Sequence, residues 1–174
     1  NNLAFFAGLF ILTVVICSCN TPVYNGIRVG AERTEEYVPY LKGKSVGIVS
    51  NQTTLLKTKN LVDTLLAMDE KVKKVYAPEH GFRGEASDGA IIENGIDDKS
   101  GLPVISLYTQ SKKPTPEDLA GIDIMVFDIQ DVGLRFYTWV SHLHYVMEAC
   151  AENNVEVMIL DRPNPHGYYV DGPL

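Results

Sequence analysis

The sequence predicts an α/β fold: a mainly parallel sheet flanked by helices on both faces. Three observations predict it. Five short runs, near residues 45–50, 72–76, 103–107, 122–129 and 155–160, are mainly apolar rather than strictly alternating. That is how strands read when both sides of the sheet are covered. Stretches with helical spacing separate the runs, as in a chain of strand–helix units. Finally, the first, second, fourth and fifth runs end in polar side chains, which parallel strands collect along one edge of a sheet. With 174 residues, 45% of them hydrophobic, the chain is long enough to bury one ordinary domain core.

Leu3 to Ile16 is an apolar run broken only by Gly8 and Thr13. It falls short of the roughly 20 residues that a membrane helix needs and has the length of the apolar region of an export signal. It ends Ile16-Cys17-Ser18-Cys19. A small residue directly before a cysteine, with an aliphatic residue two further back, is the pattern of a bacterial lipoprotein signal. Cys19 fits it. Cys17, preceded by bulky Ile16, does not. The expectation is a signal peptide over residues 1–19 with lipid on Cys19, hence an exported, membrane-anchored, periplasmic protein. A plain signal peptide or an anchoring helix are the alternatives. Residues 20–29 read as a tether. Cys150 is then the one cysteine left in the domain and has no internal disulfide partner. It sits in an apolar helical pattern and reads as core.

Glu32 to Leu41 predicts a helix ended by Gly43. Ser45 to Ser50 is the first strand, followed by the polar loop Asn51-Gln52-Thr53-Thr54. Leu61, Leu65, Leu66 and Met68 predict a helix over 60–68. The second strand, Val72 to Tyr76, runs into Ala77-Pro78-Glu79-His80-Gly81-Phe82-Arg83-Gly84-Glu85. Pro78 stops the strand, and Gly81 and Gly84 permit sharp turns. The segment from Pro78 to Gly101 is long and polar, and loops of that length in a compact domain are commonly functional. Pro103 to Leu107 is the third strand. Thr115 and Pro116 are placed to cap and start a short helix. Ile122 to Ile129 is the fourth strand. Thr138 to Asn153 predicts a helix with Trp139, Leu143, Val146, Met147 and Cys150 on its core side. Val155 to Leu160 is the fifth strand. The chain begins without Met and ends after a turn-rich stretch, and is read as part of a longer protein.

The strand ends predict one pocket rim. Glu79 stands where a catalytic carboxylate belongs, able to act as a general acid, with His80 orienting it or binding substrate. Arg83 suits a substrate carboxylate through paired N–H bonds, or else a salt bridge to Glu85 or Asp88. Asp128 and Asp131 straddle Gln130. Either they supply a second acid/base group or a sugar-hydroxyl acceptor, or they cap the helix at Thr138 and hold Arg135. Asn51, Arg135, Tyr137 and Asn164 complete the rim, although the prolines of Asp161-Arg162-Pro163-Asn164-Pro165 equally suit a purely structural loop.

His142 and His144, two apart on a helix, face different ways and are poor joint metal ligands. There is no His-Glu-x-x-His run, no cysteine pair at metal spacing in the domain, no Gly-rich phosphate loop and no Gly-x-Ser-x-Gly elbow. The reading is therefore no metal and no cofactor. A net charge of −7 without a Lys/Arg stripe argues against nucleic acid.

Four motifs occur in order: Val46-Gly47-Ile48-Val49-Ser50-Asn51, Pro78-Glu79-His80-Gly81-Phe82-Arg83-Gly84, Phe127-Asp128-Ile129-Gln130-Asp131-Val132-Gly133-Leu134-Arg135-Phe136-Tyr137-Thr138, and Asp161-Arg162-Pro163-Asn164-Pro165. Together they resemble the NamZ-type exo-β-N-acetylmuramidases, long catalogued as a domain of unknown function. The resemblance spans residues ~30 to 174 and implies a Rossmann-like N-terminal catalytic domain over 30–174, with a C-terminal domain beyond it. It implies an exo-acting glycoside hydrolase that removes terminal β-linked N-acetylmuramic acid from peptidoglycan fragments, with muropeptide sugars as substrate and Glu79 as catalytic residue. It leaves the second catalytic group open. A fold alone does not make an enzyme, so a non-catalytic cell-wall-sugar-binding lipoprotein is the competing expectation.

Overall fold

Six strands form one sheet in the order Gly95–Ile96, Pro103–Ser106, Val72–Ala77, Val46–Ser50, Ile124–Asp128 and Glu156–Ile159, in a computed structural model that describes residues 26–84, 93–108, 112–168, 170 and 172. The expectations for residues 1–25, Cys19 among them, and for Glu85 and Asp88 lie outside the described residues. The chain enters through a 3-10 turn at Gly30–Glu32 and helix α1 at Thr34–Leu41. Val29, at the end of the expected tether, already packs on the core. The central strand β1 is Val46–Ser50, buried along its whole length.

A small antiparallel hairpin, β2 at Leu55–Leu56 and β3 at Lys59–Asn60, follows. It was not legible because two-residue strands carry no periodicity. Asn60 then caps α2, Leu61–Ala67, its side chain accepting from Val62 N at 2.9 Å, which satisfies one of the donors a helix start leaves free.

Strand β4, Val72–Ala77, pairs parallel with β1, and β6, Pro103–Ser106, pairs parallel with β4. Strand β5, Gly95–Ile96, pairs antiparallel on the outside of β6, so part of the expected long loop is an edge strand. Helix α3, Pro116–Leu119, has the expected Thr115 cap, completed into a capping box by Asp118. The chain then crosses to the other side of β1: β7, Ile124–Asp128, pairs parallel with β1, and β8, Glu156–Ile159, with β7 across helix α4, Trp139–Glu152.

The two sheet faces bury separate cores. Val46, Ile48, Val75, Ala77, Ile124 and Val126 face α1 and α2. Val49, Tyr76, Met125 and Phe127 face α3 and α4. Alternation along each strand thus sends apolar residues to both faces, which is why the strands read as mainly apolar runs. Gly47 belongs to the second face: a Cβ there would sit 2.9 Å from the Tyr76 ring and 3.1 Å from Met125 Sδ, so its bareness lets those two side chains meet across β1. On α4 the buried side is Trp139, His142, Val146, Ala149 and Cys150. Met147, expected on that side, is 46% exposed. His142 takes the inward position instead, since its ring N–H finds a carbonyl partner there.

Candidate active site

Strand order reverses between β1 and β7, the switch point where open α/β sheets usually hold ligands. Here the loop after β1 fills that crevice. Thr54 Oγ1 donates to Asp128 O at 2.5 Å and Gln130 N donates to Thr53 Oγ1 at 3.0 Å. Asn51 is fully buried beneath, its Oδ1 accepting from Thr53 N and Thr53 Oγ1. Its Nδ2 and the Ser50 hydroxyl have no partner among the described residues. Asn51 thus anchors the turn of the loop through its Oδ1.

Beside it lies the Glu79 turn. The motif departs from ordinary backbone where sequence placed the chemistry: His80 has φ +70° and Gly81 φ +75°. A left-handed histidine is uncommon, and such outliers gather at functional sites. Glu79 is half-buried and its Oε1 accepts from Tyr108 Oη at 2.8 Å. Tyr108 follows the end of β6. No expectation named it, although the third strand end obeys the same rule as the other four.

Arg83 is brought near the turn but is committed elsewhere. Its Nε and Nη2 donate to Asp97 at 2.6 and 2.7 Å, and Nη2 and Nη1 to Asp63 at 3.1 and 3.3 Å. These bonds raise the guanidinium's already high pKa, with burial opposing. Arg83 holds Asp97 well below the usual carboxylate range, against burial. Asp63 is also lowered: burial pushes it up, and Arg83 and Lys99 outweigh that. Both edges of its fork are occupied, so in the expected role of substrate-carboxylate clamp Arg83 would have to exchange one of these partners for the incoming carboxylate.

Asp128 is fully buried, and Arg162 donates Nε to Oδ1 at 2.5 Å and Nη2 to Oδ2 at 2.9 Å. Burial pushes its carboxyl up and the guanidinium pulls it back. The pair ties the ends of β7 and β8 together, and the acid/base role expected of Asp128 would require it to open. Arg162 also reaches Leu55 O at 3.1 Å, adding the β1 loop to the knot.

The remaining rim residues interlock. Gln130 Nε2 donates to Asp131 O at 2.7 Å and Pro163 O at 2.9 Å. Asp131 Oδ2 accepts from Gly133 N at 3.1 Å, and Asn164 Oδ1 from His166 N at 2.9 Å. Gly133 has φ +70°, and a Cβ there would lie 2.1 Å from Asn164 Oδ1, so the two loops touch through a position open to glycine alone. Arg135 and Tyr137 stand exposed beyond them, Tyr137 beside Phe136 with ring centroids 5.4 Å apart. Among the described residues, more than one hollow opens along this rim. A hollow walled by Asp63, Arg83 and Lys99 and one walled by Asp131, Trp139 and Arg162 share no lining residue. Among the described residues no His/Cys/Asp/Glu cluster could hold a metal ion, and no helix is long and apolar enough to cross a membrane.

Fold and site define a Rossmann-like α/β domain with an acidic group raised on a strained turn at a strand end. The family described as exo-beta-N-acetylmuramidase NamZ, N-terminal, matches residues 46–174, and the chain belongs to that family. It is 46% identical over 142 residues to the peptidoglycan beta-N-acetylmuramidase NamZ of Bacillus subtilis (strain 168), covering 80% of this chain and 34% of that protein. Two crystal structures of DUF1343 family proteins from Bacteroides fragilis NCTC 9343 are also similar. One is 46% identical with a TM-score of 0.72, covering 83% of this chain and 37% of that one. The other is 42% identical with a TM-score of 0.73, covering 80% and 35%. The chain thus spans about a third of the length of the proteins it matches.

Proposed function

We propose that this domain supplies the acid of an exo-acting glycoside hydrolase that removes terminal β-linked N-acetylmuramic acid from peptidoglycan fragments, serving cell-wall recycling. The observation that carries the reading is Glu79: a carboxyl at the end of β4, on a turn whose next residue, His80, is left-handed. A glycosidic oxygen leaves as a poor anion unless it is protonated as the bond breaks, and a positioned carboxylic acid does this. Membership of the family and the name of the Bacillus relative support the substrate class.

We further propose export and lipid anchoring at Cys19, supported by the residue pattern before it, and a second domain that closes the cleft above the strand ends. That second proposal is supported by the length of the relatives and by the preference of ligand sites for domain interfaces.

The test is turnover of a muramyl disaccharide by the full-length protein and its Glu79→Gln variant. Glutamine keeps the size and accepts the same hydrogen bond but carries no acidic proton. Turnover falls by about 10²–10⁴-fold if Glu79 is the acid. A folded variant with near wild-type turnover on this poor leaving group sinks the reading.

A further inference from the structure

We propose that Tyr108 is a positioning residue for Glu79: it fixes which carboxyl oxygen carries the catalytic proton and stabilises the carboxylate left behind. This rests on the proposed role of Glu79. Strands β4 and β6 pair with Ala77 opposite Ser106, so two residues further on Glu79 stands opposite Tyr108. Their side chains meet there, Tyr108 Oη donating to Glu79 Oε1 at 2.8 Å.

A phenol that donates to Oε1 makes Oε1 an acceptor. In the protonated acid the hydrogen is then on Oε2, the oxygen free to face a substrate. During bond cleavage the C–O bonding pair stays with the leaving oxygen, which takes the Oε2 proton and departs as a hydroxyl group. The anomeric carbon gains the oxygen of a water molecule, and that water's remaining proton restores the acid. As Glu79 gives up its proton, the Tyr108 bond changes from neutral to charge-assisted, and such bonds are roughly twice as strong. The bond therefore strengthens along the reaction, which is the kind of contact that raises turnover and leaves substrate binding alone.

The phenol is itself held. Tyr108 N donates to Ser106 Oγ at 3.2 Å, and Leu107 N to Ala77 O at 2.8 Å, extending the sheet past β6. Behind it lies the buried His142 of α4, its Nδ1 2.8 Å from Thr138 O and its Nε2 3.2 Å from Leu107 O; the single N–H of the neutral ring donates to one of these carbonyls. The backbone beside Tyr108 is thus held by the Leu107 N to Ala77 O bond and packed against α4. His142 and Lys112 are the titratable groups whose charges act in this neighbourhood alongside Glu79.

The experiment uses the full-length protein with Tyr108→Phe and Glu79→Gln. Each is measured on a nitrophenyl β-N-acetylmuramide, whose leaving group needs little protonation, and on a muramyl disaccharide, whose leaving group needs it fully. Tyr108→Phe is expected to lower kcat on the disaccharide by about 10- to 100-fold, the span of a hydrogen bond to a charged group. KM should stay unchanged and the nitrophenyl substrate should lose less than about threefold. Should the Phe variant not fold, fluorotyrosine at 108, a stronger donor of nearly the same shape, is expected to raise kcat on the disaccharide and leave the nitrophenyl substrate unchanged. Equal losses on both substrates, a loss confined to KM, or a fluorotyrosine variant with unchanged kcat on the disaccharide would overturn the role of Tyr108. If Glu79→Gln is inactive on the disaccharide while Tyr108→Phe shows one of those patterns, only this inference falls. If Glu79→Gln keeps its turnover, the proposed function falls with it.

Discussion

Arg162 closes both oxygens of Asp128 inside the protein, with 8% of the arginine side chain and none of the aspartate exposed. Removing one partner leaves a buried, uncompensated charge, so Arg162→Met is expected to cost about 3–5 kcal/mol. The double variant with Asp128→Leu is expected to recover much of that loss, because two apolar groups need no desolvated charge. Urea unfolding of the three proteins decides it. A single-variant loss under about 1 kcal/mol would mean that the pair does not hold the β7 and β8 ends together.

Gly133→Ala is expected to destabilise by about 1–2 kcal/mol from the left-handed backbone alone, with a further loss from the collision with Asn164. Adding Asn164→Ala removes the collision and leaves the backbone term. Thermal unfolding in a double-mutant cycle separates the two. Perfect additivity would show that the loops do not press on each other at this point.

Acid is expected to weaken the fold in two stages. Burial lowers the pKa of His142 in the folded protein, and its two carbonyl contacts oppose that shift only in part. The unfolded chain therefore binds the extra proton first, and stability present above about pH 6.5 is lost as pH falls below it. Asp97, held low by Arg83 and its neighbours, contributes stability that is present above about pH 3.9 and is lost as pH falls further. Urea midpoints between pH 8 and pH 3 should show both stages. Asp97→Asn should reduce the lower stage, to which Asp63 also contributes, and leave the upper one unchanged; a reduced upper stage would contradict this assignment.

Cys150 is fully buried and desolvation pushes its thiol up to about 11, so thiolate is scarce at neutral pH. Native protein is expected to react with a thiol reagent only at the rate at which it opens. Labelling within seconds, without denaturant, would contradict that.

The sheet was legible because its strands are apolar on both faces; positions such as Val46, Ile124 and Val126 have nowhere to go but a core. The Thr115 cap was legible because capping is local chemistry. The partners of the charged residues were not. Arg83 meets Asp63 and Asp97, and Asp128 meets Arg162. Those pairings are set by which loops the topology brings together, and no local pattern records that. His142 faces inward and Met147 does not because the buried stripe of α4 runs Trp139, His142, Val146, Ala149 and Cys150, where the imidazole N–H finds a carbonyl oxygen that hydropathy alone does not record.

Strand β1 lies between a neighbour made soon after it and another made much later, since Val46 pairs with Val72 on one side and with Ile124 on the other. During synthesis the first side can close while the second stays bare, with its N–H and C=O groups exposed and Val46–Ser50 not yet covered. A bare apolar strand edge is a template for any other strand it meets, and long-range closure is slow. The first half of this chain is therefore open to pairing with other strands until Ile124–Asp128 covers that edge of β1.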